Sequence, residues 1–304
     1  MVTNSALAEL FIEFKWDPND DPFCDVRNVK CPACPAGTTV QSFLRDTQGA
    51  NDTLGQITSY AAAQLGAQFR THIFSVFIIK DTARILRWDR SGTIVTEPIK
   101  YNDSPLLVEF FRRYSAASPE MRGKDLSVSD PTPAEAIAAR QVLGLDKTVS
   151  LVKVEIHDAD GHPTYFITTL PRATPYTPPG RATRTFQAYD VLRRTKVFLK
   201  DSWRVDMKDI QAEGITYATL EKAGVRNIPH CLASGDISTE KYHATKAHIY
   251  ATQPWACHSD AHYIPHRHYR LVLDVVGQSL TTFKSSYEMV AAVRDAVVGK
   301  FPGW

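Results

Sequence analysis

The chain has 304 residues, 43% of them hydrophobic and 22% charged, a balance that fits a folded globular protein and excludes disorder throughout. Lys and Arg number 35 against 33 Asp and Glu, a net charge of +2, which gives no global attraction to nucleic acid or to a membrane surface. No apolar run approaches the roughly 18–20 residues of a membrane span; residues 1–10 lack the basic and apolar stretches of a secretory signal; and five cysteines, an odd number, do not suggest a disulfide framework, so an intracellular protein, cytoplasmic or nuclear, is expected.

In chain order, residues 11–16 alternate apolar and charged side chains and read as a strand. Residues 17–37 are rich in Asp, Pro and Cys and read as a loop. Leu54, Ile57, Ala61 and Leu65 recur at helical steps and predict a helix over 54–70, capped by Asn51, Asp52 or Thr53. Residues 73–79 are a buried-strand candidate. Residues 83–88 and 93–96 read as a hairpin turned at Asp89-Arg90-Ser91-Gly92, with Arg84, Arg87 and Arg90 on a solvated surface. Helices are expected over 105–115 and 133–142, with a turn at Ser118-Pro119-Glu120.

Residues 127–132 break the pattern. They separate an N-terminal α/β domain, 1–126, from a linker and helix, 127–148, and a second domain, 149–304. In the second domain strands are expected over 149–156, 164–169, 186–191 and 196–200, and 171–180 is a proline-rich loop. Residues 210–223 predict a helix, 268–276 a buried strand and 287–298 an amphipathic helix.

This order of strands, a strand ending in Lys200, a helix with an acid, more strands and a hinge-like segment is the layout of a protein-kinase small lobe. There a strand lysine meets nucleotide phosphates as a point charge and is held by a carboxylate. Alternation places Phe198 and Lys200 on one side of their strand and Val197 and Leu199 on the other. Glu213 is the candidate partner, with Tyr217 and Leu220 as the apolar stripe of its helix; Glu221, nearer the helix end, is the alternative. Gly180, in the segment GRATRT, would let backbone approach the phosphates. In the hinge-like LVLDVVG, Leu273 takes the gatekeeper position, and the backbones of Asp274 and Val276 would meet an adenine edge.

The segments GQITSYAAAQLGAQFRTHIFSV, RILRWDRSGTIVTE, VFLKDSWRVD, CLASGD and HYRLVLDVVG resemble the fungal-type protein kinase family over nearly the whole chain. The resemblance implies a serine/threonine-kinase-like fold, ATP and magnesium as ligands, protein substrates and a fungal source. It also implies an H-R-D-type catalytic loop and a D-F-G metal site after the hinge. Neither follows it here, since His266-Arg267-His268 precedes the hinge and has no Asp after it. The chain as given is therefore expected not to transfer phosphate. Gly299-Lys300-Phe301 departs from the expected helix continuation, and one codon choice for it spells a splice donor, which points to a reading frame run into an intron. Val290, Val293 and Val297 would then form an exposed stripe that favours self-association.

Glu13-Phe14-Lys15 is an E-x-K on a strand, and the strand, helix, strand order that follows resembles part of a PD-(D/E)xK nuclease core. In that fold the Glu binds a metal and the Lys positions water. Gln56 or Gln64 could line the same site, but a single carboxylate holds a metal poorly. The expected fold class is thus α+β: a kinase-like small lobe with the start of a large lobe, preceded by an α/β domain of nuclease-like topology. Cys24, Cys31 and Cys34 include one C-x-x-C without an evident fourth ligand. Cys257, His258, His262, His266 and His268 read as part of a long loop insert, and no metal centre is assigned to either set.

Overall fold

The computed structural model describes residues 4–24, 43–157, 161–171, 177–237, 243–253, 256 and 263–300. Cys31, Cys34, Cys257, His258 and His262 lie outside the described residues. The fold is mixed α and β, with two sheets and five helices among the described residues. The chain divides into two units, each made of three stretches: Met1–Leu126, Pro171–Ala182 and Glu240–His266 form one, and Ser127–Leu170, Thr183–Thr239 and Arg267–Trp304 the other.

In the first unit, β1 (Phe11–Lys15) and β2 (Ile73–Ile79) pair in parallel across α1 (Gln48–Ala67), since a parallel pair needs a long crossover. β3 (Thr82–Asp89) continues the sheet antiparallel to β2, and β4 (Gly92–Val95) and β5 (Ile99–Lys100) both pair with β3. Ile57, Ala61 and Leu65 of α1 pack on Ile73, Phe77, Ile79, Leu86 and Trp88, so the helical spacing seen in the sequence is the core stripe. The helix starts earlier than expected. Its cap is Thr47, whose hydroxyl accepts from the Ala50 amide at 3.3 Å, and residues 51–53 lie inside it. Phe110 and Tyr114 of α2 (Leu106–Ala116) pack against Phe74.

The hairpin turn corrects a second expectation. Arg84 and Arg90 are 4% and 1% exposed, so neither lies on a solvated surface. The Asp89 carboxylate accepts from the amides of Lys246 and Ala247 at 2.7 and 3.1 Å. Arg90 donates to the carbonyls of Leu65 and Pro178 at 3.1 and 2.9 Å. A polar turn reads as solvent-facing in sequence; here distant stretches of the same unit cover it and use its charges as anchors.

His72 is buried in this unit beside Met121 O and Thr71 Oγ1, at 3.1 and 2.9 Å. Burial, with Arg87 nearby, pushes its pKa down to about 3 from 6.5, so the ring is neutral when folded. The unfolded chain binds this proton first. Its contribution is complete above about pH 6.5 and is lost as pH falls toward 3, at about 1.4 kcal/mol per pH unit. In urea titrations at pH 7 and pH 4.5, His72→Gln is expected to lose less stability on acidification than the parent. An equal loss in both would contradict this.

The second unit opens with β6 (Val128–Ser129) and α3 (Pro133–Leu143). Thr132 and Glu135 form a reciprocal capping box, and Gly144 ends the helix in the left-handed region. β7 (Leu151–His157), β8 (Pro163–Thr169), β9 (Arg184–Asp190) and β10 (Lys196–Val205) follow, then α4 (Glu213–Lys222), β11 (Cys231–Asp236), β12 (His266–Leu273) and α5 (Ser286–Lys300). The sheet order is β11-β12-β10-β9-β8-β7-β6. Ala139 and Leu143 of α3 pack on Leu151, Ile167 and Tyr189. α4 begins at Glu213 and not at residue 210, because Ile210 closes a turn onto Met207 O. Nor do His266 and His268 belong to a loop insert: both are buried in β12. On α5, Val290, Val293 and Val297 are 60%, 53% and 52% exposed.

β10 runs five residues past Lys200, and the extra turn of strand carries a buried ionic cluster. Asp201 accepts from Arg184 Nη2 at 2.9 Å, Arg270 Nε at 2.9 Å and His268 Nε2 at 3.0 Å. Arg270 also reaches Ser127 Oγ and the Glu155 carbonyl, at 2.7 and 2.9 Å, so one guanidinium joins β12, β10 and β7. The Trp203 ring stacks on His268 at 4.9 Å.

Candidate functional site

β10 lies between β9 and β12, so Lys200 stands in the middle of the sheet. Val197 and Leu199 are buried, whereas Phe198 and Lys200 are half-buried on the opposite face. α4 covers that second face: Tyr217 packs, with Ala212 just ahead of the helix, against Tyr269, Leu271 and Leu273, beside Phe198 and Cys231. Lys200 Nζ lies 2.5 Å from Glu213 Oε2, with the two side chains 21% and 33% exposed. The pair is thus formed yet open to solvent. Glu221 is turned elsewhere, 3.1 Å from His230 Nδ1. Burial, with the Glu213 charge adding to it, raises the Tyr217 pKa, and burial raises the Cys231 thiol, so neither is a ready nucleophile here.

β12 ends at the buried Leu273, three residues short of the expected strand end. The Asp274 amide donates to the His230 carbonyl at 3.1 Å, and its carboxylate accepts from the His230 amide at 2.8 Å. This reciprocal clasp fixes the chain where it leaves the sheet. Among the described residues neither the Asp274 carbonyl nor the Val276 amide has a hydrogen-bond partner. Gly180 belongs to the first unit. Its φ of +111° is one that glycine tolerates, and its amide is committed to the Arg90 carbonyl at 2.8 Å.

In the first unit the E-x-K residues meet α1. Lys15 Nζ is 3.2 Å from Glu13 Oε1 and 2.8 Å from Gln56 Oε1, and Gln56 Nε2 donates to Tyr60 OH at 2.7 Å. Gln64 instead donates to the carbonyls of Ala8 and Glu9. The cluster holds a single carboxylate, already paired, and offers a divalent cation little. Cys24 is buried, His266 sits on the Ile264 carbonyl and His268 on Asp201.

Two residues of the Lys200 face were not foreseen. The Gly214 amide donates to Tyr269 OH at 2.8 Å, and a Cβ at Gly214 would stand 2.0 Å from Ser234 Oγ and 2.8 Å from Tyr269 OH. One signal was available: the helix start Ala212-Glu213-Gly214 contains no side chain able to cap it.

The sequence model of the fungal protein kinase family matches residues 37–301. No curated protein and no solved structure matches the chain.

Proposed function

This chain belongs to the fungal protein kinase family, and from that premise we propose that the α4-covered face of its second unit is an adenine-nucleotide site. The observation that carries the reading is the solvent-accessible ion pair of Lys200 and Glu213 at the centre of the sheet. A protein kinase uses such a pair to hold nucleotide phosphates. In this reading Lys200 meets the phosphates, Glu213 orients Lys200, Leu273 borders the adenine, and the Asp274 carbonyl and Val276 amide pair with its edge.

Kinases of the family depend on ATP and magnesium and act on protein substrates. The chemistry is transfer of the γ-phosphoryl group to a Ser or Thr hydroxyl. Magnesium does not fit the residues of this unit. Magnesium at a nucleotide is held by one or two carboxylates together with the phosphates, and Glu213, the carboxylate beside Lys200, is already committed to that lysine. What the unit performs is binding and orientation of the nucleotide.

Lys200→Met separates phosphate from adenosine recognition in a calorimetric titration. ATP affinity is expected to fall about tenfold or more, about 1.4 kcal/mol, with adenosine affinity unchanged. A wild-type chain that binds neither, or a variant that keeps its preference for ATP, would overturn the reading.

A further inference from the structure

α4 begins without a cap of its own. The residue before its first turn is Ala212, which makes no side-chain cap hydrogen bond. Its second residue is Gly214, among the poorest helix formers. A helix start leaves its first amides without partners inside the helix, so this one is disposed to fray. The residue that fraying would displace first is Glu213, the partner of Lys200.

The missing acceptor comes from another strand. Tyr269, buried in β12, takes the Gly214 amide on its hydroxyl at 2.8 Å, and Ser234 of β11 is a second hydrogen-bond partner of that hydroxyl. Gly214 is what allows the approach, since any Cβ there would meet Ser234 and Tyr269. The glycine weakens the helix and at the same time opens the place where the phenol caps it. Tyr269 and Lys200 stand on the neighbouring strands β12 and β10, so both ends of the arrangement are fixed to one sheet.

We infer that Tyr269 is the N-terminal cap of α4, supplied in trans from β12, and that it acts as a positioning residue for Lys200 by holding Glu213 in place. Its consequence for nucleotide binding rests on the reading proposed above; the capping does not.

The test uses the full chain without nucleotide. An amine-directed acylating reagent is applied, and the rate at Lys200 is read by peptide mass spectrometry with the other lysines as internal controls. Tyr269→Phe, which removes a single oxygen, is expected to raise the Lys200 rate about fivefold, the factor expected of a lost cap. Glu213→Gln is expected to do at least as much. The double variant should match Glu213→Gln, because Tyr269 acts through Glu213; a merely structural role for the phenol would make the two effects multiply. An unchanged Lys200 rate in Tyr269→Phe, or multiplied effects, would overturn the inference. Hydrogen exchange in the wild-type chain gives an independent check. The Gly214 amide should be strongly protected, and exchange at the rate of an open amide would also overturn it. Failure of the wild-type chain to bind ATP would sink the nucleotide reading alone.

Discussion

Replacing Asp201 by alanine is expected to remove about 3–5 kcal/mol of stability, the usual cost of taking one partner from a buried charge cluster. Three cationic or potentially cationic groups converge on this carboxylate: Arg184, His268 and Arg270. Asp201 is 1% exposed and Arg270 fully buried. Without the carboxylate the guanidinium groups keep their charge, since arginine does not shed its proton in a protein, and they stay out of water. A typical domain has only about 5–15 kcal/mol in hand, so the loss takes a large part of it. Burial by itself would raise the Asp201 pKa, but His268, Arg184 and Arg270 together outweigh it and hold the carboxyl well below its usual 3.8. The contribution is therefore present above about pH 4 and disappears as pH falls through the depressed value. Urea unfolding followed by tryptophan fluorescence reads the effect, because Trp203 stacks on His268 in the same cluster. A loss below about 1 kcal/mol, the size of an exposed pair, would show that the cluster does not brace the sheet.

Gly123→Ala is expected to cost about 3 kcal/mol or more, as clash and backbone strain combine. A Cβ at this position would lie 1.9 Å from the His72 carbonyl oxygen, and φ is +92°. The backbone cannot step aside, because the Gly123 carbonyl accepts from the Thr71 amide at 2.9 Å and Arg70 bridges to Lys124 beside it. Gly144 supplies the control. Its φ is +68°, but nothing lies within 4 Å of its missing Cβ. Gly144→Ala should therefore cost only the conformational part, about 1–2 kcal/mol. Equal losses in thermal or urea unfolding would mean that backbone conformation, and not contact with His72, makes Gly123 necessary.

What was legible in the sequence was apolar periodicity and local spacing. Ile73–Ile79 is an apolar run interrupted only by Ser75, and it forms the strand over just those residues. The kinase-like layout suggested an acid partner for Lys200, Glu213 or Glu221 nearer the helix end, and Lys200 lies beside Glu213. Polar residues buried by distant parts of the chain were not legible. Asp201 and Ser202 look like the end of a strand, yet both are buried within β10, where Arg270 satisfies Asp201 from 69 residues away. Asp89 to Gly92 has the composition of an exposed turn and is covered through bonds to residues near 178 and 246. The cap of α4 escaped for the same reason: its acceptor lies 55 residues from Gly214. A sequence pattern shows which side chains avoid water. It does not show which polar groups have found partners away from water.

Nucleotide is expected to bind on the Lys200 and Glu213 face of the second unit. Photolabelling of the full chain with 8-azido-ATP, followed by peptide mapping, tests where it binds. The label should appear in peptides covering 271–277 or 196–200, compete with unlabelled ATP and diminish in Lys200→Met. Label that ATP does not displace, or that maps to the first unit around Glu13, Lys15 and Gln56, would mean that nucleotide does not bind at Lys200 and Glu213.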